Sequence, residues 1–235
     1  MLQCNNIRCQ RGEHVILDKL CLKLEPGNAL VLRGDNGSGK TSLLRMLAGL
    51  RRPAVGKITW CDLDIFEHYD RYREDLHFVG HKNPLQPDMT VKEYMQFWSR
   101  LSDVEETLEP TIFWLKLGPV LDLPLSMLSA GWTRRVILSR LMLDPVPLWF
   151  LDEPFTNLDG DMTDMILKLI ASRCDQGGAV VLSCHRGVDV PFGDELDVMQ
   201  FAPDRVQKSQ DNKQDGKTED VTGKVQDADV RGENV

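Results

Sequence analysis

The stretch Gly34-Asp35-Asn36-Gly37-Ser38-Gly39-Lys40-Thr41 fits the pattern G-x-x-x-x-G-K-S/T and constrains the fold more tightly than any other part of the sequence. It is preceded by Ala29-Leu30-Val31-Leu32, a short apolar run with β-branched content, and followed by the helix-periodic Ser42-Leu43-Leu44-Arg45-Met46-Leu47. Strand, loop, helix is the order a phosphate site needs. Glycines let successive backbone N–H groups turn toward one anion, and the helix that follows offers its positive end. Lys40 is placed to neutralise terminal phosphates and the Thr41 hydroxyl to ligate Mg²⁺, with Ser42 completing the candidate nucleotide-binding set.

A second element supplies carboxylates. Leu148-Trp149-Phe150-Leu151 and Ala179-Val180-Val181-Leu182 are nearly uninterrupted apolar runs, as expected of central strands in a parallel sheet covered on both faces. The first ends in Asp152-Glu153, which it delivers to the sheet edge where the phosphate loop lies. Asp152 is expected to hold the magnesium water shell, and Glu153 is the candidate general base or water-positioning group for attack on a terminal phosphoryl group. A solvated acidic turn is the bland alternative. Pro154 weakens it by forcing a sharp exit, as does the apolar run that fixes both side chains in place. Loop and carboxylates together imply a nucleotide-binding ATPase or GTPase, without choosing between them.

Size and composition narrow the setting. A chain of 235 residues that is 42% apolar can bury one substantial core, so one composite domain is expected over residues 1–202. The opening stretch to Leu24, with the turn signal Glu25-Pro26-Gly27-Asn28, reads as a small antiparallel sheet. Helical spacing from Thr90 to Leu143 reads as an inserted helical subdomain, placed at about 82–143. Residues 203–235 are too poor in apolar side chains to bury a core and read as a charged, disordered tail. No apolar run is long enough to cross a membrane, and Met1 to Gln10 lack the apolar stretch of a secretory signal, so any membrane role must be borrowed from a partner. The net charge of −8 disfavours nonspecific nucleic-acid binding. Six scattered cysteines with no Cys-x-x-Cys pair read as reduced thiols in a cytosol-like compartment.

A third element identifies a family. Leu128-Ser129-Ala130-Gly131-Trp132 and the following Thr133 to Arg140 resemble the LSGGQ signature of ABC ATPases and its helix. Thr156-Asn157-Leu158-Asp159 looks like the D-loop that follows the second strand, and His185 stands where this family carries its switch histidine. The resemblance implies an α/β, ABC-type nucleotide-binding domain with a RecA-like parallel-sheet core, a small antiparallel β subdomain and an inserted helical subdomain. It also implies ATP and Mg²⁺ as cofactors and an ATPase dimer, formed with a second copy, in which the phosphate loop of one subunit faces Ser129, Ala130 and Gly131 of the other. A signature helix N-terminus presenting N–H groups and a hydroxyl to the terminal phosphate gives that arrangement a physical reason. His185 is then a phosphate-contacting catalytic candidate, with a packed strand-end histidine as the alternative.

Two departures carry information. Trp132 replaces the usual signature glutamine, and His81 in Phe78-Val79-Gly80-His81 occupies the Q-loop place, a magnesium candidate by position only, able instead to organise a water or relay movement. No aromatic residue lies near Gln10 to Gly12, where relatives stack adenine. Phe-Val-Gly-His at 78–81, Leu-Ser-Ala-Gly at 128–131, Arg134-Arg135-Val136 and Pro147 to Thr156 together resemble the ATPase subunit of the cytochrome c maturation system, from Leu2 to Phe201. That resemblance implies integral membrane partners that handle haem, release of a haem-loaded chaperone driven by ATP hydrolysis, and a place on the cytoplasmic face of the inner membrane or the equivalent mitochondrial matrix side. No Cys-x-x-Cys-His motif points to haem attachment on this chain. The competing readings are a transporter ATPase for another small substrate, which co-purified membrane partners would distinguish, and a regulatory nucleotide-binding module with little turnover, which an ATPase assay on the complex would decide. A DNA-repair ATPase is disfavoured because no long heptad insertion separates Thr41 from Ser129.

Overall fold

The computed structural model describes residues 1–80, 85–184 and 188–203. In chain order the elements are β1 (Leu2–Arg11), β2 (His14–Leu24), β3 (Ala29–Arg33), α1 (Lys40–Leu47), β4 (Val55–Trp60), β5 (Leu63–Asp64), α2 (Tyr69–Glu74) and β6 (Leu76–Val79). There follow α3 (Val91–Leu101), α4 (Leu108–Trp114), α5 (Ala130–Leu138), α6 (Arg140–Leu143), β7 (Leu148–Asp152), α7 (Gly160–Asp175), β8 (Ala179–Ser183) and β9 (Asp194–Asp197), with short 3-10 turns between and after. His81, His185 and the tail from residue 204 onward lie outside the described residues.

Five strands form a parallel sheet in the order β6-β7-β8-β3-β9. The apolar runs explain why it is covered on both sides. Along β7, Leu148 and Phe150 face one core while Trp149 and Leu151 face the other; β8 divides Ala179 and Val181 from Val180 and Leu182 in the same way. All ten residues of these two strands are buried. On the first face lie α1 and the antiparallel sheet β2-β1-β4-β5. On the second lie α7 and the apolar sides of α3 to α6, so Val91, Met95, Ile112 and Leu141 share one cluster with Trp149 and Val180. The chain between Val91 and Leu143 therefore packs directly on the sheet that carries the phosphate loop.

Local chemistry fixes where these helices begin. Thr90 opens α3 with a reciprocal cap: its hydroxyl accepts from the Glu93 N–H at 3.2 Å and the Glu93 carboxylate accepts from the Thr90 N–H at 2.8 Å. The helical spacing that runs to Leu143 is interrupted between α5 and α6. Buried Ser139 breaks it, its hydroxyl donating to the Val136 carbonyl at 2.6 Å and competing with the helical ladder. The edge strand β9 carries no apolar alternation; it is joined to β3 by backbone pairing and by Arg33, which donates to the Glu195 carboxylate at 2.7 Å.

The thiols divide sharply by burial. Cys4, Cys9, Cys174 and Cys184 are buried, and burial pushes the Cys4 and Cys184 thiols up to about 12; Cys21 and Cys61 are exposed. In the native protein at pH 8, Ellman's reagent is expected to titrate those two thiols promptly and to reach all six only in denaturant. Equally fast modification of Cys184 in the folded chain would contradict this packing.

Candidate functional site

The site begins at the carboxyl end of β3. Two glycines are needed where the loop turns. Gly34 has φ +143°, and a Cβ there would sit 2.6 Å from Ser38 Oγ and 2.9 Å from Val198 Cγ2; Gly39 has φ +104°, and a Cβ would sit 2.7 Å from Ile16 Cγ2. The Ser38 N–H closes a turn on the Asp35 carbonyl at 3.1 Å. Gly39 then leads into α1, whose first residues are Lys40, Thr41 and Ser42. The Lys40 ammonium is buried and donates to the Gly34 and Asp35 carbonyls at 2.8 and 2.9 Å, so its charge is held over the loop it belongs to.

Strand β7 brings the carboxylates to the same place. Thr41 Oγ1 donates to the Asp152 carboxylate, 3.0 and 2.9 Å from its two oxygens, and Asp152 is only 2% exposed. Ser183, at the end of β8, donates from its hydroxyl to Asp152 Oδ1 at 2.8 Å and accepts the Glu153 N–H at 2.9 Å. Glu153 itself has φ +52°, the left-handed region that a non-glycine residue enters at a cost of about 1–3 kcal/mol and keeps only where surrounding bonds hold it. Those bonds come from Ser183 and from Arg134 of α5, whose guanidinium donates to the Asp152, Glu153 and Pro154 carbonyls.

A cleft of about 590 Å³ opens over Lys40, Thr41 and Glu153. Asn36, Gly37, Gly39, Lys40, Thr41, Ser42 and Glu153 form its loop side. Arg45 of α1 also lines it, and its far wall is Arg11, Ile16 and Arg51, with Arg51 anchored on the Gln10 carbonyl. Three guanidinium groups beside a nest of N–H groups make the cleft strongly receptive to a polyphosphate. The hydroxyl and carboxylate of Thr41 and Asp152 are hard oxygen donors, the kind a Mg²⁺ ion takes one or two of while keeping water and phosphate oxygens for its other positions. Asp35 contributes through its carbonyl, and Gly34 and Ser38 set the turn.

The signature residues are elsewhere on the surface. Ser129 caps α5, its hydroxyl accepting from the Trp132 N–H at 3.4 Å, and Ala130 lines a separate cleft of about 220 Å³ with Thr156 and Asn157. Gly131 is held close to the D-loop: a Cβ there would lie 2.9 Å from the Asn157 carbonyl oxygen. Asp159 caps α7 through the Met162 N–H at 2.8 Å and pairs with Arg135 at 2.7 Å, while the Arg135 guanidinium lies 4.7 Å from the Trp132 ring centre. Neither Ser129 nor Gly131 borders the phosphate cleft of its own chain.

The roles of Ser183 and Arg134, like the place of Arg11, Arg45 and Arg51 in the cleft, do not follow from the sequence. Ser183 carries only the weak signal of a hydroxyl at the end of a buried strand. Arg134 is visible in the sequence only as part of the Arg134-Arg135-Val136 resemblance, and its role is not, because what it binds is backbone.

The family described as ABC transporter matches residues 17–156. The chain is 40% identical over 200 residues to a protein of Rhodospirillum rubrum named cytochrome c biogenesis ATP-binding export protein CcmA, with 85% of this chain and 86% of the relative covered. Proteins of the same name from Wolbachia pipientis and Escherichia coli are 38% and 36% identical, covering 80% and 81% of this chain and 91% of each relative. Among solved structures, a putative ABC transporter ATP-binding protein from Pyrococcus furiosus superposes with a TM-score of 0.73 at 22% identity, over 86% of this chain and 98% of that one. A dimeric ATP-binding cassette in a post-hydrolysis state with ADP and Pi superposes with a TM-score of 0.70 at 20% identity, over 86% and 91%. At those identities the two structures speak to the fold.

Proposed function

This chain belongs to the ABC transporter ATP-binding family, and from that premise we propose that it is the ATP-hydrolysing subunit of a membrane complex for cytochrome c biogenesis, driving release of a haem-loaded chaperone. The observation that carries the reading is the convergence of Lys40, Thr41 and Glu153 on one cleft, with Asp152 bound to Thr41 beneath it, in a chain whose relatives bear that name.

The loop N–H groups and the positive end of α1 take the phosphates, and Lys40 exchanges its two carbonyl acceptors for terminal phosphate oxygens. Thr41 and Asp152 are the residues that would hold Mg²⁺, which supplies neutralisation of charge building on the phosphate oxygens. Glu153 orients the attacking water and accepts its proton, with its backbone fixed by Ser183. Ser129, Ala130 and Gly131 act on the nucleotide of a second copy, which explains their distance from the cleft of their own chain; Asp159 supports that contact from the D-loop through Arg135. His185 follows β8 and is the proposed contact to the terminal phosphate, while His81, following β6, is assigned no ligating role; both lie outside the described residues.

Among the described residues no helix is long and apolar enough to cross a membrane; on the proposed reading, force is delivered to integral membrane subunits from their cytoplasmic or matrix side. The test is reconstitution with the membrane subunits of a cytochrome c maturation complex and a haem-loaded chaperone. Release is expected on adding Mg·ATP and is expected to be lost with Lys40→Ala. Release by the unsubstituted complex at the same rate with and without ATP would end this assignment.

A further inference from the structure

We propose that Arg134 is a positioning residue that ties the signature helix of each chain to that chain's own hydrolytic carboxylate, so that the signature's hold on a second copy's nucleotide is transmitted to Glu153. The inference rests on the ABC ATPase reading above and adds to it a link within one chain between the two halves of the enclosure.

The geometry is specific. Arg134 lies in α5 and is 6% exposed. Its Nε donates to the Pro154 carbonyl at 3.1 Å, its Nη2 to the Asp152 and Glu153 carbonyls at 3.0 and 2.8 Å, and its Nη1 to the Gly80 carbonyl at 2.9 Å. Three acceptors are consecutive residues at the exit of β7, and the fourth directly follows β6. A buried cation held by backbone carbonyls is an expensive way to fill space, since an apolar side chain would avoid the desolvation. What it secures is the path of a turn in which Glu153 occupies the left-handed region.

The same helix is anchored at two neighbouring points. Gly131 is seated on the Asn157 carbonyl, and Arg135 grips Asp159 at 2.7 Å. Ser129 and Gly131, which meet the second copy's nucleotide, open the helix that carries Arg134. Displacing that helix therefore pulls on the Asp152 to Pro154 backbone, and with it on Glu153. A planar fork reaches all four carbonyls at once; an ammonium, with its donors on one atom, does not.

The experiment uses the full chain assembled with its membrane subunits and compares Arg134→Lys and Arg134→Gln with the unsubstituted protein. Three quantities are read: kcat, the Hill coefficient for ATP, and the Mg·ATP Kd of the isolated chain, each at a temperature below the variant's melting point. Displacement of a reacting group by about 1 Å costs up to about 100-fold in rate, so kcat is expected to fall about 10- to 100-fold in both variants. The Hill coefficient is expected to move toward one, and Kd to stay within about twofold. A purely structural role would lower the melting temperature without separating kcat from Kd. Retention of kcat and Hill coefficient by Arg134→Lys, or a kcat loss matched by an equal loss of nucleotide affinity, overturns the proposal. Lys40→Ala is the control for the underlying reading: undiminished nucleotide retention there would overturn that reading first and the proposal with it.

Discussion

Glu153→Gln is expected to lower ATP turnover by about 100- to 10,000-fold while the protein goes on binding Mg·ATP, the span that loss of a positioned general base produces. The substitution isolates the chemistry because almost everything else about the residue survives it. Its N–H still reaches Ser183 Oγ, its carbonyl still accepts from Arg134, and the side chain keeps its length. What disappears is the capacity to take a proton from water. Because Lys40, Thr41 and Asp152 are untouched, the triphosphate is still gripped, and an enclosure that cannot hydrolyse its contents cannot reopen by that route. Size-exclusion chromatography with Mg·ATP is expected to show a dimer that the unsubstituted chain forms only transiently. Turnover within about threefold of the unsubstituted complex would remove Glu153 from the role assigned to it.

How much of this was readable in advance depends on whether side chains or backbone do the work. The phosphate loop, β3, β7 and β8 were legible because their signals are side-chain patterns: glycines where φ is positive, and apolar runs where a strand is covered on both faces. The cap at Ser129 and the carboxylates at the end of β7 were legible for the same reason. The edge strand β9 was not. Of its residues Asp-Glu-Leu-Asp only Leu196 packs against a core, and only partly, so its place in the sheet rests mainly on the backbone register with β3 and the Arg33 to Glu195 pair. The break between α5 and α6 at Ser139 was hidden because a serine can face solvent or turn its hydroxyl back on the ladder, and only packing decides. The role of Arg134 was hidden more thoroughly: its partners are carbonyl groups, which every residue has, brought to it from two parallel strands by the sheet itself. The far wall of the cleft follows the same logic, since Arg11 and Arg51 come together only because β1 pairs with β4 and the Gln10 carbonyl receives Arg51.

Phe150→Ala is expected to destabilise the fold by about 3–5 kcal/mol and to lower the melting temperature by about 10 °C. Phe150 has no exposed surface and belongs to the same core as Leu43, Leu44, Leu148 and Val181, between the parallel sheet and the antiparallel sheet. Removing its ring leaves a cavity that two strands and a helix cannot close without shifting, so the cavity cost adds to the lost transfer energy. That shift would act two residues before Asp152, yet the carboxylate is held independently by Thr41 and Ser183. Turnover measured well below the variant's melting temperature is therefore expected to stay within about threefold of the unsubstituted protein, whereas Glu153→Gln, with its packing intact, loses turnover and keeps its melting temperature. The opposite pairing, in which Phe150→Ala melts normally but cannot hydrolyse ATP, would mean that β7 acts in the chemistry directly and does more than carry Asp152 and Glu153 to the cleft.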